Sequence, residues 1–267
     1  MKNILITGAT DGIGLETSKL LAQQGHNLVI HGRSEDKLES TILILQSINP
    51  KITIKGCLAD LSDFSQVRQL ISEIKANNKK IDVIVNNAGV LKTNTPLTES
   101  GLDVRFVVNT ISPYLITQQL LPILADDGRI VNLSSAAQAP VDINALLGKH
   151  IIEDDFQAYS QSKLAITIWS QQLANRLNSN QLVVAVNPGS LLASKMVKKG
   201  FGVAGNDLSI GADILVRASL SDEFSTSSGQ YFDNDSKKFA NPHSEAADKE
   251  KCDRLMTAIE QVISLYS

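Results

Sequence analysis

Cysteine is nearly absent: the 267 residues contain only Cys57 and Cys252. The two lie far apart, in no CxxC or metal-ligand spacing. Neither a disulfide framework nor a zinc site is expected, and both read as reduced structural thiols of a reducing compartment. The four histidines, His26, His31, His150 and His243, show no HExxH pattern and no paired spacing, so no metal is expected. An excess of one charge is missing as well. The formal net charge of -3 gives no electrostatic footing for nucleic acid or an acidic membrane. No apolar run approaches the ~18 residues that a membrane span requires. The sequence passes from Met1-Lys2-Asn3 straight into Ile4-Leu5-Ile6, without room for a leader and cleavage site, so a cytoplasmic protein is expected. Repeats, low-complexity tracts and a Pro/Gly-rich linker are lacking too, and one domain is expected over residues 1–267.

What is present is an ordinary globular composition, 43% hydrophobic and 20% charged, sufficient for a sizeable core. Short apolar runs alternate with longer amphipathic ones. The runs Ile4–Thr7, Asn27–His31, Lys51–Cys57, Ile81–Asn86, Arg129–Ser134 and Leu182–Asn187 are rich in Ile, Val and Leu without polar alternation, as strands covered on both faces should be. Helical spacing of apolar residues predicts helices near 12–24, 35–48, 63–77, 103–124 and 156–178. Such alternation implies an α/β domain, a parallel sheet wound on both faces by right-handed crossovers. A looser stretch at 190–207, with Gly200, Gly202 and Gly205, reads as a mobile substrate loop. The C-terminus reads as a polar loop and a closing helix at about 244–264 that carries Leu255, Ile259, Val262 and Ile263.

The first strand runs into Thr7-Gly8-Ala9-Thr10-Asp11-Gly12-Ile13-Gly14 and then into a helix. Glycines let the backbone turn tightly and approach a pyrophosphate, which then meets the free N–H groups of the helix start. The spacing G-x-x-x-G-x-G departs from the G-x-G-x-x-G of the older dinucleotide fingerprint. Further signals follow in order: Asp60-Leu61, Asn86-Asn87-Ala88-Gly89, Asn109, Ser134-Ser135, Tyr159-x-x-x-Lys163 and Pro188-Gly189. Together, over roughly residues 4–232, they resemble the short-chain dehydrogenase/reductase family. The resemblance implies a single Rossmann domain with a mainly parallel seven-stranded sheet, the last strand lying in Ser-Gly-Gln-Tyr-Phe (228–232). It also implies hydride transfer between a nicotinamide and a carbonyl or alcohol carbon of a small, apolar substrate.

The second strand ends His31-Gly32-Arg33-Ser34. NAD-binding relatives place an acid at the position of Gly32 to accept from the ribose hydroxyls, whereas an arginine such as Arg33 pairs with a 2′-phosphate. NADP(H) is therefore expected rather than NAD(H), although Asp11 stands where many NADP-preferring relatives carry a second basic residue. The resemblance assigns Asp60 to the adenine edge, and Leu61, Asn87, Ala88, Gly89, Pro188 and Gly189 to the cofactor path. A helix cap within Asp60-Leu61-Ser62-Asp63 is the alternative reading of that acid.

Tyr159 and Lys163 lie four residues apart on a predicted helix and so share a face. A free tyrosine is a poor base at neutral pH, and a neighbouring ammonium is expected to lower its pKa and make it a general acid/base. The resemblance assigns Ser135 to the substrate oxygen, and Asn109 to a backbone-held water that relays protons from the lysine. A buried, satisfied side chain reads Asn109 equally well. Ser135 and Tyr159 stand further apart than in the shortest members, through an insertion at about 137–157. With the form Tyr159-Ser160-Gln161-Ser162-Lys163-Leu164, it resembles the branch of retinol dehydrogenases, WW-domain oxidoreductases and protochlorophyllide reductases. That insertion either flanks the substrate pocket or is a surface loop without a role.

Leu191, Leu192, Met196 and Phe201 are candidates for an apolar pocket, while Lys195, Lys198 and Lys199 read as solvated. The resemblance also implies a homodimer or homotetramer through the helices at 103–124 and 156–178. Leu164, Ile168, Trp169 and Leu173 either form that subunit face or pack on the sheet. A non-catalytic NADP-binding sensor or scaffold is the competing class, but such proteins typically lose the tyrosine or lysine, and both are here.

Overall fold

The structure, a computed structural model, describes residues 1–193 and 205–266. The first half builds alternating strands and helices: β1 (Asn3–Ile6), α1 (Gly12–Gln23), β2 (Asn27–Gly32), α2 (Glu35–Ile48), β3 (Ile54–Leu58), α3 (Phe64–Asn77) and β4 (Ile81–Asn86). Then follow α4 (Val104–Phe106), a π-helical turn (Val107–Ile111), α5 (Ser112–Leu120), β5 (Leu124–Leu133), α6 (Ile143–Leu146), α7 (Asp155–Ala174) and β6 (Leu182–Asn187). The remainder comprises α8 (Leu208–Leu220), β7 (Tyr231–Asp233), β8 (Lys238–Ala240) and α9 (Lys249–Leu265). Helix starts follow their capping chemistry. Asp11 accepts from the N–H of Gly12, and Asp63 accepts from those of Ser65 and Gln66, which satisfies amides that the first helical turn leaves open.

The strands form one sheet in the order β3-β2-β1-β4-β5-β6-β7-β8, parallel except for β8. All six residues of β4 and of β6 are buried, as expected of strands covered on both sides. One apolar layer, from α3, α5, α7 and α9, covers one face, and a second, from α1, α2 and α8, covers the other. The chain winds outward one way from β1 and the other way from β4. Their carboxyl ends therefore part at the switch point, where open α/β sheets form a ligand crevice.

The sheet has eight strands where seven are expected. The extra strand returns from β7 through a tight turn with Lys237 at φ 56, and Phe239 packs its ring 5.1 Å from Phe232 and 5.3 Å from Phe224. Three residues carry no periodicity, so only this ring packing marks β8. The predicted helix over 103–124 is also broken, by the π turn and a final 3-10 turn at Leu121–Ile123. Pro113 contributes to the break, because it offers no N–H to the carbonyl of Asn109 four residues earlier. Leu164, Ile168, Trp169 and Leu173 are all buried within the chain, with Trp169 edge-on to Tyr114 at 5.5 Å, so they do not form a free subunit face. Among the described residues no helix is long and apolar enough to cross a membrane.

Candidate active site

The turn after β1 is a backbone cradle held from three sides. Gly8 and Gly12 take φ of 66° and 54°, the left-handed region that glycine enters without strain. A Cβ on Gly14 would lie 2.3 Å from the Gly8 carbonyl oxygen, so only glycine permits this approach of helix and turn. Asn87 Nδ2 donates to the carbonyls of Thr7 and Gly8 at 2.8 and 3.0 Å, while Thr7 Oγ1 accepts from the N–H groups of Asn87 and Ala88. The side chain of Asn87 thus staples the turn to the end of β4.

The third support is His31, which sequence reasoning left without a role. Its Nδ1 accepts from the Gly8 N–H at 3.1 Å, so the ring proton sits on Nε2 and is donated to the Ala59 carbonyl at 2.9 Å. Burial holds its pKa below the ordinary 6.5, and the neutral ring ties β1, β2 and β3 together at the cradle. A depressed histidine pKa contributes stability that is complete above the free value and lost as pH falls through the lowered folded value. His31→Val is therefore expected to cost about 1–2 kcal/mol at neutral pH, by orphaning a donor and an acceptor. That cost should shrink as the pH falls toward about 5. Thermal unfolding of the cofactor-free protein at both pH values measures it, and a pH-independent difference contradicts the neutral-ring role.

A cavity of about 550 Å³ runs over this cradle, lined by Gly8, Thr10, Asp11, Gly12 and Ile13 at one end. His31, Gly32, Arg33, Ser34 and Lys37 line its flank, then Asp60 and Leu61, then Asn87, Ala88 and Gly89, and finally Tyr159, Lys163 and Pro188. Gly14, Gly189, Ser135 and Asn109 stand outside this lining: Gly14 sits behind the turn, and Asn109 is fully buried. At Gly32 even a Cβ would lie 2.5 Å from Thr10 Cγ2, so any side chain there must displace Thr10. Arg33 is exposed to the cavity mouth. Lys37, in the first turn of α2, lines the same flank and reaches Asp11 Oδ2 at 3.3 Å. Spacing along the chain does not mark this second cation, because Arg33 precedes the helix that carries Lys37. Within Asp60-Leu61-Ser62-Asp63 the cap of α3 is Asp63, as the alternative reading allows, while Asp60 Oδ1 accepts from the N–H and hydroxyl of Ser62.

At the other end, α7 presents Tyr159 and Lys163 on one face, with the Lys163 Nζ 5.5 Å from the centre of the Tyr159 ring. Lys163 Nζ donates to the Leu133 carbonyl at 2.8 Å. Burial draws its pKa from 10.5 down to about 7. Burial likewise pushes the Tyr159 phenol up, and a hydrogen bond with the Ser135 side chain pulls it partly back. The expected lowering of the phenol by the ammonium is not what governs the pair: desolvation acts on each group toward its neutral form. Ser135 Oγ accepts from the Ala137 N–H at 3.1 Å, whereas Ser134 Oγ is engaged with Thr167 Oγ1 at 2.6 Å and the Lys163 carbonyl.

Asn109 lies in the π turn, a form common at functional sites. Its side chain is fully paired: Oδ1 accepts from the Val90 N–H at 2.8 Å, and Nδ2 donates to the Val90 carbonyl and Ser162 Oγ, each at 2.9 Å. Its carbonyl, facing Pro113 in sequence, lacks the regular helical donor. The insertion at 137–157 supplies none of the cavity lining. It packs Ala145 and Leu146 in the core layer under α9 and hands Gln138 to the Ser135 loop. Leu192 is buried and Leu191 exposed, neither lining the cavity. Met196, Phe201, Lys195, Lys198 and Lys199 lie outside the described residues.

A family model described as short chain dehydrogenase matches residues 2–202. The chain belongs to the short-chain dehydrogenase family and is an oxidoreductase of that class. It is 28% identical over 288 residues to Retinol dehydrogenase 13 of Mus musculus, covering 99% of this chain and 84% of that protein. It is 30% identical over 267 residues to Retinol dehydrogenase 12 of Mus musculus, covering 95% and 84%. Among solved structures, a protein of Mycobacterium paratuberculosis superposes with a TM-score of 0.80 at 25% identity, over 98% of this chain and 92% of that one. A short chain dehydrogenase of Shigella flexneri complexed with NADP gives 0.69 at 26% identity, over 88% and 97%.

Proposed function

We propose that the protein is an NADP(H)-dependent reductase of a small apolar carbonyl compound, with Tyr159 as proton donor. The observation that carries this reading is the single cavity that has a glycine cradle and two cations, Arg33 and Lys37, at one end and Tyr159 with Lys163 at the other. The cradle fits a dinucleotide because Gly8 and Gly12, in the left-handed region, turn the backbone tightly beneath the cavity and because the helix start offers N–H groups to a pyrophosphate. Arg33 and Lys37 would hold the 2′-phosphate, Asp60 and Leu61 the adenine side, and Ala88, Gly89, Pro188 and Gly189 the path toward the nicotinamide. When bound, the dinucleotide supplies the hydride.

The chain's own residues handle the proton. Burial keeps the phenol protonated, so Tyr159 carries the proton that a carbonyl oxygen takes up on reduction. Tyr159 donates its proton to the carbonyl oxygen. Ser135, whose Oγ already accepts from Ala137, turns its own hydrogen toward that oxygen and stabilises the developing charge. Lys163 would hold the nicotinamide ribose hydroxyls, and the Asn109 carbonyl, which Pro113 leaves without its regular helical donor, would hold a water that relays protons from Lys163. Val90, Leu91, Val104, Val108 and Leu133 give the cavity its apolar wall, which suits a hydrophobic carbonyl.

The test is optical: NADPH and NADH oxidation against octanal, a ketone series and phenanthrenequinone, with alcohols run in reverse. Arg33→Asp should weaken NADPH by about 10- to 150-fold, the value of a lost charge-assisted contact, with NADH nearly unchanged. Lys37→Ala should act the same way and more weakly. Equal losses for both cofactors remove the NADP assignment, and no turnover of any carbonyl removes the reading itself.

A further inference from the structure

We infer that Gln138 and Tyr231 are positioning residues that fix the Ser135 hydroxyl by occupying both lone pairs of the Ser135 backbone carbonyl. The inference rests on the proposed role of Ser135. Tyr231 stands on β7, two strands away from β5, and its hydroxyl reaches across to donate to the Ser135 carbonyl at 3.1 Å. Gln138 Nε2 donates to the same oxygen at 3.0 Å. With two donors on it, the peptide plane that follows Ser135 has one orientation, and Oγ is held in turn by the Ala137 N–H. Tyr231 is buried, and burial with the nearby Asp233 and Asp235 carboxylates holds its phenol well above its ordinary pKa, so it remains a donor throughout the working pH range.

Gln138 is itself anchored. Its Oε1 accepts from the His243 N–H at 2.9 Å, and Glu245 Oε2 accepts from the Val141 N–H at 3.3 Å. The segment just before α9 therefore straps the insertion against the end of β5. This gives the insertion a task that neither a pocket wall nor an idle surface loop describes. Its first turn sets the serine, and its remainder gives that turn something rigid to stand on. Ser135 lies two residues beyond the end of β5, outside the strand ladder, so these side-chain donors set its carbonyl.

The experiment is a double-mutant cycle in the full chain with NADPH and the carbonyl that wild type reduces best among octanal, the ketones and phenanthrenequinone. Tyr231→Phe and Gln138→Met should each lower kcat by about ten- to a hundredfold, the penalty of a misplaced group, with KM for NADPH little changed. On a Ser135→Ala background the same changes should lower kcat no further, because the group they orient is gone. A structural role alone lowers the midpoint of unfolding without this dependence on Ser135. If Ser135→Ala lowers kcat while Tyr231→Phe and Gln138→Met leave it intact, or act additively with it, the positioning role is overturned. If Ser135→Ala leaves kcat at the wild-type value, or wild type reduces none of the carbonyls, the underlying reading falls and the inference with it.

Discussion

Tyr159→Phe is expected to lower kcat for carbonyl reduction by about 10²- to 10⁴-fold, the usual value of a positioned general acid. That corresponds to about 3–5 kcal/mol of transition-state stabilisation. NADPH binding should persist, because the phenylalanine ring keeps the shape of the cavity wall and the cofactor contacts argued above lie elsewhere. The size of the effect follows from the enclosure of the pair. Burial keeps the phenol protonated beside the reacting oxygen, and phenylalanine has no proton to give in its place. Single-turnover absorbance separates the steps: binding retained with hydride transfer lost is the expected pattern. Turnover at the wild-type rate would remove Tyr159 from the mechanism.

The second large effect concerns stability and lies far from the cofactor. Arg105 is 1% exposed, with Nε and Nη2 on the two carboxylate oxygens of Asp103 at 2.8 and 2.6 Å and with Nη1 on Asp155. Asp103 caps α4, and Asp155 opens α7, so this one guanidinium ties the start of the Asn109 segment to the start of the helix that bears Tyr159. Arg105→Met leaves Asp103 buried and unpaired, which costs about 3–5 kcal/mol. In a chain of this size the melting temperature should fall on the order of 10 °C. The exposed pair between Lys2 and Asp127, at 2.8 Å, makes the contrast: its loss should change stability by about 1 kcal/mol at most. Adding Asp103→Asn to Arg105→Met should recover part of the loss, since it removes the stranded charge. A single-variant loss below about 1 kcal/mol would mean that solvent reaches the triad after all.

Some of this could be read directly and some could not. The glycine turn, the strand runs and the Tyr159–Lys163 pair were legible because each depends on neighbours along the chain: φ above zero at Gly8 and Gly12, unbroken burial in β4 and β6, and one turn of helix between two side chains. Lys37 was not legible: Arg33 precedes α2, and only the fold brings the two cations to one flank of the cavity. The eighth strand was not, because three residues carry no period. Nor was the fate of Leu164, Ile168, Trp169 and Leu173, since an apolar face of a helix has the same spacing whether a sheet or a second subunit covers it.

What the sequence determined by itself is the winding of the domain and the residue types at each end of its crevice, because strand burial, glycine freedom and helical spacing are local properties. What only the tertiary structure decided is how those residues are held and charged. His31 supports the cradle from β2, and Tyr231 reaches Ser135 across 96 residues of chain. The Tyr159–Lys163 pair is set by burial rather than by mutual attraction. Desolvation and contacts between distant segments depend on what packs above and below a side chain, and no spacing along the chain records that.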